Sequence, residues 1–173
     1  MFRVPDTDDG LADALQDAGY RRETPTAIMQ APVAALTGQP IPYLTTFAIW
    51  PPLAIQRDIW AAGNIGPMRQ AVMDRVPAPK TAILGRIDDR AAGAAFAAIA
   101  GDVAMVHAVE VLPAFRRRGL ARWLMRQAAQ WAADHGATRI GLAVSRANGG
   151  ARATYDRLGF TEVAGYAYYA KDL

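Results

Sequence analysis

The sequence contains no cysteine, which excludes disulfide bonds, thiol catalysis and cysteine metal sites. It has only two histidines, and no spacing of His, Asp and Glu suggests a metal site, so we expect no metal. No apolar run reaches the length of a membrane span. The first ten residues also lack the basic and then apolar pattern of a signal peptide. These absences favour a cytoplasmic protein with no membrane partner.

The composition is that of a globular domain. Hydrophobic residues make up 52% of the chain and charged residues 20%, and 173 residues are enough to bury a core. The net charge of +3 is mild, and a cluster of arginines accounts for much of it, so a nucleic-acid partner is not required. The oligomeric state stays open, with a homodimer among the alternatives.

The most informative stretch is residues 103–132, where a strand pattern passes through a basic turn into a helix pattern. Alternate residues from Val103 to Val111 share one side, and most residues on the other side are apolar too. This pattern predicts a strand buried on both faces, which Pro113 ends. From Leu120 onward, apolar residues recur at helical spacing, and Gly136 marks the end of that helix.

The turn between this strand and helix has the features of a phosphate site. The first turn of a helix carries N–H groups without partners in the helix, and the helix dipole makes that end positive. Gly119 removes a side chain where phosphate oxygens would approach the backbone. Arg116, Arg117 and Arg118 add charge and forked donors. A solvated surface is the alternative for the arginine run, and the Walker and dinucleotide patterns are both absent.

Two motifs in this order resemble the GNAT superfamily of acyl-CoA-dependent N-acyltransferases. The first hallmark of that family is Arg/Gln-x-x-Gly-x-Gly/Ala after the fourth strand. The matching residues are Arg116, Gly119 and Ala121. The second hallmark is an asparagine, a tyrosine seven positions later and then Leu-Gly-Phe. The matching residues are Asn148, Tyr155 and Leu158, Gly159 and Phe160.

The resemblance implies a fold class and a division of the chain. The fold is expected to be α/β (α+β), with a mixed, mostly antiparallel central sheet flanked by helices and with splayed central strands. The patterns at 81–87, 91–100 and 103–111 agree, because they predict three strands in an antiparallel meander. A GNAT acetyltransferase domain would occupy residues 45–173. Residues 1–44 would form a helix–strand extension, interpreted as a degenerate GNAT half.

Local signals predict further elements. A helix should end near Ala62, and Asn64 should cap a second helix over 65–76. A strand over 137–144 should follow the central helix as a parallel crossover. The chain should finish as a hairpin of two strands around Gly165.

The resemblance also assigns cofactor contacts, with acetyl-CoA as the co-substrate. Strand backbone groups would bond the pantetheine arm, and the amides of residues 117–122 would hold the pyrophosphate. Asn148 would contact the arm, with a plain helix N-cap as the alternative reading. The expected cofactor-binding residues are Val109, Val111, Arg116, Arg117, Arg118, Gly119, Leu120, Ala121, Arg122 and Asn148.

The implied reaction is direct attack of a neutral primary amine on the thioester carbonyl in a ternary complex. By its family position, Tyr155 would protonate the leaving thiolate, and packing on the Leu-Gly-Phe turn is the alternative. Some family members use a glutamate five positions before the asparagine, where this chain has Ala143. A non-catalytic acyl-CoA-binding regulator therefore remains an alternative, as does a basic surface that binds RNA or an acidic partner.

Two residues of the central strand are candidates for the base. Glu110 is an acidic residue in an apolar strand, so either a catalytic role or an ion pair with a nearby arginine would explain it. His107 is the second candidate, with core packing as the alternative. In a regular strand these two side chains point to opposite faces. A one-residue bulge between them would bring both to the same side, and the resemblance implies one, since GNAT enzymes often carry an irregularity in this strand. We therefore predict that the two side chains share the acceptor pocket.

Overall fold

The computed structural model describes residues 1–171. In this range the chain forms eight strands, six α-helices and a 3-10 helix at Pro113–Phe115. The strands are β1 (Phe2–Pro5), β2 (Arg21–Pro32), β3 (Thr46–Ile49), β4 (Lys80–Ile87), β5 (Arg90–Ala100), β6 (Val103–Val111), β7 (Arg139–Ser145) and β8 (Thr161–Ala170). The helices are α1 (Asp9–Asp17), α2 (Val33–Thr37), α3 (Ala54–Ala62), α4 (Pro67–Arg75), α5 (Leu120–Asp134) and α6 (Gly149–Arg157).

The chain divides into two compact units, one made of residues 1–30 with the chain from 142 onward, and the other of residues 31–141. Neighbouring strands are β1, β8 and β2 in the first unit and β6, β5, β4 and β3 in the second, and the boundary between the units falls within β7. The expected mixed α/β class with a mostly antiparallel sheet is confirmed. The splay of the central strands and the domains 1–44 and 45–173 stay predictions.

An antiparallel meander forms the frame of the second unit, as the strand patterns predict. β3, β4, β5 and β6 pair in sequence, each antiparallel to the next. Asp88 and Asp89 make the turn between β4 and β5 with φ angles of 50° and 59°. Positive φ at both central residues suits the tight turns whose twist matches that of paired strands.

Helix α5 packs on one face of this meander through the apolar stripe read from the sequence. The buried residues of that stripe are Leu120, Leu124, Ala128, Trp131 and Ala132. Two glycines of the sheet let the helix approach closely, because a Cβ at Gly85 would lie 2.9 Å from Leu124 and one at Gly93 would lie 3.1 Å from Leu120. A larger residue at either position would therefore force the leucine side chains of α5 to shift, and at Gly93 also the backbone at Glu110.

Helix α3 packs on the other face of β5 and β6. The buried cluster there consists of Ile59, Trp60, Ile65, Met73, Ala82, Leu84, Ala94 and Phe96. The second helix of this region differs from the sequence prediction. Asn64 does not cap it, because Asn64 lies in the turn after α3 with a φ of 62°, and Gly66 is the N-cap of α4. Pro67 favours this later start, since proline suits the first position of a helix.

The first unit is built around β8, which lies between β1 and β2 and is antiparallel to both. The predicted hairpin around Gly165 is wrong, because β8 runs without a turn from Thr161 to Ala170. Gly165 pairs with Ala27 inside the strand. A Cβ at Gly165 would collide with the side chains of Asp6 and Arg146, so this glycine allows close packing rather than a turn.

Candidate active site

Strand β6 contains the predicted bulge. His107 lies opposite Phe96. Glu110 lies opposite Ala94, so one extra residue is present in β6 between the two pairs. Ala108, in this interval, has a φ of 52°, which is uncommon for a residue with a side chain. Because Ala94 and Phe96 point to the same face of β5, their partners His107 and Glu110 also share a face. Whether they share an acceptor pocket stays a prediction.

The expectation that β6 is buried on both faces is wrong. Ala104 and Val106 are buried, but His107 is exposed. The bulge also moves Val109 and Val111 off the side that His107 occupies, since Val111 pairs with Gly93 on the face that packs against α5. An alternation of apolar residues says which side chains share a face and does not say which face a distant helix will cover.

Glu110 is held between α3 and the arginine turn, which we define as residues 116–119. Its Oε1 accepts a hydrogen bond from Arg116 Nη2 at 3.0 Å, and its side chain is only 17% exposed. Gly63, the C-cap of α3, lies against the same carboxylate, because a Cβ there would be 2.5 Å from Oε2. The predicted ion pair with a nearby arginine is therefore confirmed. A role as base stays a prediction.

Trp60 makes a polar contact that sequence patterns do not reveal. Its Nε1–H donates to the carbonyl oxygen of Ala108 at 2.9 Å, and its side chain is fully buried. The bonded residues are 48 positions apart, so no local pattern could have found the contact. This bond ties α3 to the bulge in β6.

His107 has an unusual combination of access and environment. The residue is exposed, so the core-packing alternative is wrong. Nevertheless the surrounding protein partly desolvates the imidazole, and this lowers the pKa of His107 below its usual value. The ring is therefore neutral at pH 7, which leaves one ring nitrogen able to accept a proton.

The start of α5 has the backbone geometry expected of an anion site. Gly119 is the N-cap and lies in the left-handed region at a φ of 82°, while Arg117 has a φ of 64°. Among the described residues, no side chain caps this helix. A Cβ at Gly119 would meet only Arg122, at 3.5 Å from Nε, so the space above the first turn is open. The first amides, including those of Leu120 and Ala121, are therefore available to an anion.

Two of the three arginines in the turn make contacts inside the protein. Arg116 bonds Glu110, and its Nε also donates to the carbonyl oxygen of Val111 at 2.9 Å. Arg118 binds both oxygens of Asp88, at 2.9 and 3.1 Å. That bond lowers the pKa of the Asp88 carboxyl and raises the pKa of Arg118. The phosphate prediction therefore rests mainly on the backbone amides of residues 117–122.

The backbone N–H and carbonyl groups of Val111 point away from β5. Leu112 N–H donates to the carbonyl oxygen of Ala92 at 2.9 Å, which makes the neighbouring pair Gly93 and Val111 a non-hydrogen-bonded one. The carbonyl of Val111 is taken by Arg116. Its N–H is therefore directed to the side of β6 opposite β5, as a donor to a bound ligand requires. The backbone role of Val109 stays a prediction.

The first unit carries the second motif. Asn148 Oδ1 accepts from Ala151 N–H at 3.1 Å, so its N-cap reading is confirmed. Tyr155 is buried, and its ring centroid lies 5.8 Å from that of Phe160, so its packing on the Leu-Gly-Phe segment is also confirmed. Burial raises the pKa of Tyr155 to about 12. The phenol is therefore protonated at neutral pH.

Within residues 1–171, no group of three or more His, Cys, Asp or Glu side chains is placed to hold a metal ion. In the same range, every helix is too short or too polar to cross a bilayer.

The model of the Acetyltransferase (GNAT) family matches residues 42–160, a segment that contains both motifs. Because this match covers more than half of the sequence, the chain belongs to the GNAT acetyltransferase family. Comparison with the curated proteins finds no significant match.

Solved structures agree with this assignment. A GCN5-related N-acetyltransferase from Kribbella flavida is similar with a TM-score of 0.70 and 25% identity, over 96% of this chain and 66% of that chain. One from Sphaerobacter thermophilus has a TM-score of 0.69 and 16% identity, over 98% and 58%. The ribosomal-protein-S18-alanine N-acetyltransferase of Escherichia coli has a TM-score of 0.59 and 17% identity, over 72% and 90%. The chain thus spans less than two thirds of the length of the first two structures, and the last two show the fold alone.

Proposed function

We propose that this protein transfers an acetyl group from acetyl-CoA to a primary amine by direct attack in a ternary complex. The observation that carries the proposal is the uncapped start of α5, with Gly119 in the left-handed region, inside the segment that matches the family. Arg116 and Ala121 complete the motif there. Open amides at the positive end of a helix suit the two phosphates of a nucleotide thioester.

The residues near the reacting atoms would stabilise charge and move protons. The N–H of Val111 is a donor for the thioester oxygen as negative charge develops on it. The attacking nitrogen forms the new N–C bond while the C–S bond breaks, so nitrogen must lose one proton and sulfur must gain one. Glu110 and His107 are the proposed acceptors of the first proton, and Tyr155 is the proposed donor of the second.

The environments of these groups support the assignment of roles. A neutral imidazole at His107 can accept a proton at pH 7 because its pKa is lowered. Tyr155 stays protonated because its pKa is raised to about 12, so it is a donor rather than an acceptor. A raised pKa also makes this phenol a weaker acid than an ordinary tyrosine, while a thiol has an ordinary pKa of about 8.5, so the donor role is supported by the family position of Tyr155 and not by its acidity.

The test is a panel of primary amines incubated with acetyl-CoA and read out as free thiol. The panel should span small amines and peptides with free α- or ε-amines, because the acceptor is unidentified. We expect thiol release that depends on both the amine and the enzyme. If acetyl-CoA raises the melting temperature but no amine in the panel releases thiol, the non-catalytic acyl-CoA-binding regulator is the better reading. Ala143, at the position where some family members use a glutamate, keeps this alternative open, whereas Tyr155 and Glu110 argue against it.

A further inference from the structure

The face to which Glu110 points depends on one residue of β6. In a strand without a bulge, Glu110 would lie on the opposite face from His107, because a one-residue change of register moves every later side chain to the other side. The extra residue between the pairs His107–Phe96 and Glu110–Ala94 therefore places the carboxylate on the α3 side. Whatever holds the bulge also holds Glu110 in place.

The bulge needs support for two physical reasons. Ala108 has a φ of 52°, a backbone angle that non-glycine residues other than Asn and Asp rarely adopt. A bulged residue is also left out of the regular ladder, so its carbonyl needs another donor. The fully buried indole of Trp60 supplies that donor at 2.9 Å from the carbonyl oxygen.

The end of the same helix is shaped to accept the carboxylate. Gly63 follows Trp60 by three residues, and a Cβ there would lie 2.5 Å from Glu110 Oε2. The other oxygen, Oε1, bonds Arg116. Helix α3 therefore makes two contributions. Trp60 donates the hydrogen bond that holds the bulge, and Gly63 leaves space for the Glu110 side chain.

We propose that Trp60 is a positioning residue that holds the bulge at Ala108 and so aims Glu110 at the acceptor amine. This inference rests on the acetyl-transfer function proposed above. It assigns Trp60 no contact with substrate, because its effect passes through the backbone of Ala108 to Glu110. It also explains why a donor side chain is buried at this position of α3 among apolar neighbours.

The first experiment compares wild type, Trp60→Phe, Ala108→Gly and the double variant. Phenylalanine keeps a ring in the core but removes the donor, so we expect kcat to fall by about 10-fold to 10²-fold while KM for acetyl-CoA changes little. Glycine adopts a positive φ freely, so Ala108→Gly in the Trp60→Phe background should restore most of the lost kcat. Wild-type kcat in Trp60→Phe, or a loss that Ala108→Gly leaves untouched, overturns the proposal.

A second arm asks whether the effect passes through Glu110. In a Glu110→Gln background, Trp60→Phe should produce no further loss of kcat, since its target is already gone. A loss as large as that in wild type would mean that Trp60 acts only on general stability, and it would contradict the proposal.

A third variant avoids the core, in case Trp60→Phe does not fold. Gly63→Ala puts a methyl group where the carboxylate lies, and Gly63 has an ordinary φ of −90°, so the backbone is not strained and the Glu110 side chain must move from Cγ outward. We expect a lower kcat at an unchanged melting temperature. Gly66→Ala is the matched control, because nothing lies within 4 Å of its added Cβ, and it should behave as wild type. If Gly63→Ala has the kcat of wild type, the claim that kcat depends on the position of the Glu110 carboxylate is overturned.

The proposal can be separated from the acetyl-transfer function itself. If wild type acetylates no amine, the proposed function fails, but the side-chain carboxyl resonance of Glu110 in carbon NMR still reports its surroundings. That resonance should shift in Trp60→Phe and return in the double variant with Ala108→Gly. An unchanged resonance in Trp60→Phe contradicts the positioning role whether or not the enzyme is active.

Discussion

At the residue scale, similar side chains receive different tasks from their surroundings. Tyr155 is buried against Phe160, which raises its pKa to about 12, whereas Tyr43 is 92% exposed. His107 is exposed, but neighbouring protein atoms restrict the hydration of its ring and lower its pKa. The Tyr155 phenol therefore holds its proton over the whole physiological pH range, and the neutral His107 imidazole can accept one.

Tyr155→Phe tests the proposed proton donor. The variant keeps the buried ring and loses only the hydroxyl, so turnover should fall by about 10²-fold to 10⁴-fold while acetyl-CoA affinity changes little. Thiol release and calorimetric titration give the two numbers. A variant that turns over like wild type would show that Tyr155 has only a packing role.

The raised pKa of Tyr155 also makes a prediction about stability that does not depend on catalysis. The unfolded chain releases the tyrosine proton near pH 10, but the folded protein holds it until about pH 12. The free energy of unfolding should therefore fall as pH rises from about 10 to 12, by up to about 3 kcal/mol for this group.

Urea unfolding of wild type and Tyr155→Phe at several alkaline pH values measures this effect. The fall should be smaller in Tyr155→Phe, and Tyr43→Phe, a change at an exposed ring, should follow the wild-type curve. Equal slopes in wild type and Tyr155→Phe would mean that the phenol is not held in its neutral form.

At the element scale, the arginine turn is a loop fixed at both ends. Arg116 ties it to β6, and Arg118 ties it to the turn between β4 and β5 through Asp88. The side chains that the sequence suggested as phosphate donors thus also serve to hold the loop. The partner of Arg118 is 30 positions away, so the arginine run alone could not reveal this arrangement.

Asp88→Asn should loosen the arginine turn and weaken acetyl-CoA binding. The ion pair is exposed and therefore modest in strength, so we expect a loss of affinity of about 2-fold to 5-fold. Asp89→Asn is a matched control, because it removes the same charge from the same turn but breaks a bond to Arg86 instead. Calorimetric titration that gives equal affinities for the two variants would contradict a role of Asp88 in holding the turn.

At the scale of the whole molecule, the sequence predicted the features that depend on local periodicity and on the spacing of nearby residues. The meander, the apolar stripe of α5 and the paired motifs all follow from short-range periodicity and spacing. The bulge in β6 was predicted from the family resemblance, because the residue pattern alone is equally compatible with a regular strand.

Features decided by distant contacts were missed or misread. The local pattern around Gly165 predicts a turn, whereas contacts with Asp6 and Arg146 are what require its small size. The open face of His107 and the bond from Trp60 to Ala108 depend on where α3 packs, and no pattern within β6 carries that information. Glycines and strand faces therefore need the tertiary structure before a role is assigned to them.

Calorimetric titration with coenzyme A tests the central claim that the start of α5 binds the diphosphate. Gly119→Asp adds a negative charge and a side chain at the open first turn, whereas Gly136→Asp makes the same change just past the other end of α5 at an almost equal φ of 81°. We predict that wild type and Gly136→Asp bind coenzyme A and that Gly119→Asp does not. Unchanged affinity in Gly119→Asp would contradict the account.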